Sequence, residues 1–155
     1  MYRGDNYMKI LRITEPRYLG VVAPLVNEYS KKAGLQYESL WTFFCNVVQN
    51  GRRMACFTMV FDEGKAVAFA QYEIEQLPYI GTITLKHIYN SSDTAEPTKL
   101  LCAEIANFGL EHRCTQIVSH SPNRKVQNHF ATIFKEQGYN LEPVKRFHWI
   151  VKKEV

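Results

Sequence analysis

No stretch of this 155-residue chain approaches the ~18 uninterrupted apolar residues that a membrane-spanning helix needs. Its opening segment, MYRGDNYMKI, lacks an apolar h-region, so no secretory signal is expected. Cysteine is sparse. Cys45, Cys56, Cys102 and Cys114 form no Cys-x-x-Cys pair, and each sits in an apolar or helical context. They read as buried, reduced thiols of a cytoplasmic protein. No histidine pairs with a cysteine at zinc-ligand spacing. The near-miss, His112 with Cys114, cannot close a tetrahedral site, so no metal is expected. A basic stripe is missing too. Lys+Arg number 19 against Asp+Glu 15, a net charge of +4 spread along the chain. That allows an anionic ligand, and no nucleic-acid partner is expected. No internal repeat or low-complexity tract interrupts the chain. Ser119-His120-Ser121 has no glycine-rich elbow, so a nucleophilic serine is not expected.

What remains is an ordinary globular composition, 46% hydrophobic and 22% charged. One domain spanning 1–155 is expected, with residues 1–7 as a flexible arm. Met8 to Thr14 reads as a strand. Pro16 suits the first turn of a helix whose Leu19, Val22, Val26, Tyr29 and Ala33 recur at helical spacing, with Gly34 as its stop. A second helix carries Leu40, Phe44, Val47 and Val48 and ends at Asn50-Gly51. Arg53 to Phe61 reads as an apolar strand, 62–65 as a hairpin turn, and Ala66 to Gln76 as the return strand. In that return strand Gln71, Glu73 and Glu75 alternate with Tyr72 and Ile74, which gives its far half one wet face.

Pro78 breaks the chain before a third strand, Tyr79 to Tyr89. Ile83 and Leu85 share one parity there and Ile88 takes the other. A mid-strand flip is what an inserted residue produces, so either a β-bulge near Lys86-His87 or a strand buried on both faces is expected. A polar loop, Asn90 to Glu96, precedes a helix opened by Pro97 with Leu101, Ile105, Phe108 and His112 on one face. Thr115 to Ser119 is a short buried strand. Asn123 to Gln137 is a helix striped by Val126, Phe130, Ile133 and Phe134 and capped by Gly138. Phe147 to Val151 is a last strand. The order is β-α-α-β-β-β-α-β-α-β, an α/β (α+β) arrangement, and the late βαβ piece requires a crossover helix.

That order, together with LKHIY at Leu85 to Tyr89, KLL at Lys99 to Leu101 and FKEQGY at Phe134 to Tyr139, resembles the GNAT (Gcn5-related N-acetyltransferase) superfamily over Met8 to Lys152. The resemblance implies a mixed, mostly antiparallel sheet of six to seven strands with four helices. Its parallel strands four and five, here Tyr79 to Tyr89 and Thr115 to Ser119, would splay around acetyl-coenzyme A. It implies cofactor contacts at Ile88, Tyr89, Asn90, Thr94, Ala95, Thr98, Lys99 and Asn128, with the N-terminus of the Pro97 helix aimed at the diphosphate. It also implies direct transfer of an acetyl group to a primary amine of a small molecule or protein, and it allows a homodimer. Glu73 and His120 are the candidate proton acceptors. Histidine's ordinary pKa of ~6.5 suits base chemistry near neutrality.

The chain also departs from that pattern. Ser92, Ala95 and Pro97 stand where the family's diphosphate loop carries a basic or amide residue and two glycines. Asp93 and Glu96 add negative charge there, and Phe134 stands where many members carry a tyrosine acid. The alternative reading is therefore a catalytically silent GNAT-like binding or assembly module.

Overall fold

The computed structural model describes residues 8–50, 55–77, 80–119 and 124–138. Five strands form one sheet in the order β1 (Met8–Arg12), β2 (Ala55–Asp62), β3 (Lys65–Leu77), β4 (Ile80–Asn90) and β5 (Gln116–Ser119). The first four are antiparallel neighbours, and β5 runs parallel to β4. Four α-helices accompany them among the described residues: α1 (Ala23–Ala33), α2 (Tyr37–Gln49), α3 (Glu96–Glu111) and α4 (Arg124–Glu136). Among the described residues the sheet has five strands, against the six to seven expected. The expected strand at Phe147 to Val151 and the arm at 1–7 lie outside the described residues.

Local chemistry accounts for most boundaries. The expected single helix from Pro16 is divided in two: Pro16–Val22 is a 3-10 helix, and α1 begins after it with Pro24 in its first turn. Proline lacks the N–H that would continue the hydrogen-bond ladder, so the second proline restarts the helix. Gly34 ends α1 in the left-handed conformation (φ 70°), as its missing Cβ permits. The β2–β3 turn places both Glu63 (φ 51°) and Gly64 (φ 80°) at positive φ, a hairpin geometry whose twist matches the flanking strands.

Both faces of the sheet are covered. One buries Ala68, Ala70, Tyr72, Ile83 and Leu85 against Leu101, Ile105 and Phe108 of α3 and Phe130, Ile133 and Phe134 of α4. The other buries Phe57, Met59 and Phe69 against Leu25, Val26, Leu40 and Phe44 of α1 and α2. Gly109 lets α3 lie close to β4, since a Cβ there would meet Ile83 Cδ1 at 2.7 Å. Arg12 of β1 pairs with Glu104 of α3 and lies over the Phe108 ring, 5.1 Å from its centroid.

Candidate functional site

The site begins with a miscount between two strands. Gln71 of β3 is opposite His87 of β4, yet Tyr72 is opposite Leu85. Lys86 is therefore the extra residue, a β-bulge where the parity flip places it. The insertion keeps Ile88 packed with Ile83 and Leu85 on the α3 side, and leaves Tyr89 on the α1 side. Among the described residues the parallel pairing reaches as far as the residue before it. β5 pairs β4 over Thr82 to Leu85, with Gln116 to Ser119 as partners. From Lys86 to Asn90 the β5-facing edge of β4 has no strand partner among the described residues. Backbone N–H and C=O groups on such an edge demand other partners, and an extended ligand with amide groups is a natural one.

A second bulge anchors the loop that follows. Val60 is opposite Ala68 and Phe61 opposite Ala66, so Val67 is extra on β3. Its carbonyl accepts from Ser91 N–H (2.9 Å) and Ser91 Oγ (2.8 Å). Asn90 then organises the turn. Its Oδ1 accepts from Ser92 N–H at 2.9 Å and Ser92 Oγ at 2.7 Å. Its Nδ2 donates to Thr94 O at 2.8 Å and to Thr98 Oγ1 at 3.1 Å. Of the expected cofactor residues, Ile88, Tyr89, Asn90, Thr94, Ala95, Thr98 and Lys99 lie on this continuous path from the end of β4 into α3. Asn90, Thr94 and Thr98 are engaged with one another, and Lys99 Nζ is 3.6 Å from Glu96 Oε1. Asn128 is an exposed α4 residue whose carbonyl accepts from Thr132 Oγ1.

On the α1–α2 side, Glu73 lies two residues along β3 from Gln71 and is bound by the bulge residue: Lys86 Nζ is 2.8 Å from Glu73 Oε1 and 3.8 Å from Glu75 Oε1. The bond to Glu73 raises the Lys86 pKa, so that ammonium is firmly charged. His87 is half-buried, edge-on to Tyr29, Phe43 and Phe44, and its Nδ1 shares a 2.8 Å hydrogen bond with Tyr29 Oη. Burial first, and the Lys86 charge second, lower its pKa, which keeps the imidazole neutral near pH 7. Tyr89 Oη donates to Glu28 Oε1 at 2.7 Å. His120 lies outside the described residues. Sequence reading missed the Lys86–Glu73 pair, the His87–Tyr29 pair and the buried Gln71. The parity flip marked the bulge, but it did not say which side chains α1 would bring over it.

No protein-family model and no curated protein matches this chain. Solved structures do. An aminoglycoside N-acetyltransferase, AAC(6')-Iy in complex with CoA, superposes with a TM-score of 0.73 at 17% identity, covering 98% of each chain. A probable acetyltransferase gives 0.73 at 15% identity, covering 94% of this chain and 99% of its own. A ribosomal-protein-alanine N-acetyltransferase from Brucella melitensis biovar Abortus 2308 gives 0.65 at 16% identity, covering 94% and 98%. The fold is that of the GNAT acetyltransferases.

Proposed function

We propose that this chain is an N-acyltransferase that moves an acetyl group from a coenzyme A-type thioester to the primary amine of a small molecule. The observation that carries the reading is the Lys86 bulge, beyond which β4 continues to Asn90 with no strand partner on its β5 side among the described residues. A pleated edge released from its neighbour can pair with an extended ligand in the manner of an added strand. It does so beside the N-terminus of α3. Several structures of the same fold are acetyltransferases, and one holds CoA.

A bound thioester supplies an acyl carbon that an amine nitrogen attacks, with release of a thiol. This chain's residues would position the partners and take the proton. Glu73 and Glu75 give the β3–β4 face a carboxylate pair that attracts an ammonium substrate, while Lys86 holds both in place. Glu73 is the group assigned to accept the proton as the amine attacks, directly or through one water. His87, neutral and fixed by Tyr29, is the second base on the same face.

Release of thiol from acetyl-coenzyme A across a panel of primary amines tests the proposal. Amine-dependent thiol release is expected, with Glu73→Gln lowering kcat by roughly a hundredfold, the lower end of general-base effects. Binding without turnover on any amine would favour the silent module instead. Phe134 favours that second reading, because a buried phenyl ring where many members of the resembled family carry a tyrosine offers no proton to a departing thiolate.

A further inference from the structure

We infer that the donor is read here through the amides of a pantetheine arm and not through a nucleotide diphosphate; this rests on the transferase reading above. A diphosphate wants free N–H donors and a cation. The Asn90–Lys99 segment has one cation, itself paired, and although the N–H groups of Asp93, Ala95, Glu96 and Thr98 have no partner among the described residues, the rest of its donor set is spent or missing. Ser92 N–H is taken by Asn90 Oδ1, Ser91 N–H by Val67 O, and Thr94 N–H turns to Ser92 Oγ at 3.4 Å. Pro97 has no N–H at all. Glu96 already places a carboxylate at the positive end of the α3 dipole, and Asp93 adds a second negative charge. Lys99 is the one cation of this segment, and it pairs with Glu96.

A neighbouring group points the same way. Gln137 Nε2 donates to Lys99 O at 3.1 Å, which fixes the orientation of its amide. Its Oε1 is left buried with no hydrogen-bond partner among the described residues. An unmet acceptor beside the first turn of α3 suits an amide N–H and repels a phosphate oxygen. A pantetheine arm carries two amides, and the unpaired β4 edge offers partners for both their N–H and C=O groups. That arm occurs in free coenzyme A and on carrier proteins.

The test is a titration of the wild-type chain, followed by backbone amide NMR, with acetyl-coenzyme A, acetyl-pantetheine, ADP and an acetylated carrier protein bearing the same arm. Acetyl-pantetheine is expected to bind within about threefold of acetyl-coenzyme A, and ADP to leave the loop resonances unmoved. Tighter binding of the carrier than of acetyl-coenzyme A would identify the carrier as the source of the arm; the reverse would identify the free coenzyme. Combining Asp93→Asn with Glu96→Gln should tighten acetyl-coenzyme A several-fold and leave acetyl-pantetheine unchanged. An advantage of more than about 30-fold for acetyl-coenzyme A over acetyl-pantetheine, or displacement of the thioester by ADP, overturns this inference and leaves the transferase reading standing. If no thioester moves β4, both fall.

Discussion

Gln71 illustrates how a single side chain can be out of balance with its surroundings. It is fully buried, opposite Phe57 on β2 and His87 on β4, and neither its Nε2 nor its Oε1 has a hydrogen-bond partner among the described residues. Each unmet group costs about 1–3 kcal/mol, so Gln71→Leu is expected to raise stability by ~1 kcal/mol or more in urea denaturation. A drop would show that the amide has a partner. His87 makes a pH prediction. Its folded-state pKa lies below the ordinary 6.5, and the groups facing it are Tyr29, Phe43, Phe44, Gln71 and the Lys86 ammonium. Above pH 6.5 the ring is neutral in both states. As pH falls below that value the unfolded chain takes up the proton first, so stability is lost on the acid side. Wild type should therefore lose more stability between pH 7 and pH 5 than His87→Gln; equal losses would contradict the burial argument. The thiols divide in the same way. Burial pushes Cys56 to about 11 and Cys102 to about 12, while Cys45 and Cys114 are only half-buried. An aromatic disulfide reagent should modify Cys45 and Cys114 well before the other two, which should react at the rate of unfolding.

At the level of elements, the bulge was legible because a strand has a period of two and Ile83, Leu85 and Ile88 break it. The hairpin was legible because Asp62-Glu63-Gly64-Lys65 carries turn chemistry between apolar runs. The division of the first helix was not read, although Pro24 announces it, because the apolar spacing runs unbroken across that proline. Lys86 offers a direct check on the account. Lys86→Ala keeps the residue count and removes only a half-exposed ion pair, so it should cost no more than ~1 kcal/mol. Deleting Lys86 removes the extra residue and leaves Leu85, His87, Ile88 and Tyr89 in regular alternation, so both buried faces and the pairing with β3 are kept. Denaturation midpoints of the two variants should therefore lie close together. A much lower midpoint for the deletion would mean that Lys86 is not the inserted residue.

For the whole molecule, the order of the elements and the parallel run of β4 and β5 were legible in the sequence, whereas the placing of α1 and α2 on one face of the sheet and α3 and α4 on the other is seen in the packing. Pairwise meetings between distant segments did not follow. Tyr29 reaching His87, Gln137 reaching Lys99 and Arg12 reaching Glu104 are set by packing angles that no local pattern encodes. The β4 edge beyond Leu85, without a strand partner on its β5 side among the described residues, belongs to this scale, since it brings together a bulge against β3 and the start of α3. Amide NMR during titration with acetyl-coenzyme A interrogates it most directly. Progressive shifts confined to Lys86 through Asn90, the Ser91–Ala95 loop and the first turn of α3 are the expected result; a spectrum unmoved at millimolar ligand, or shifts confined to the far edge at β1, would contradict it.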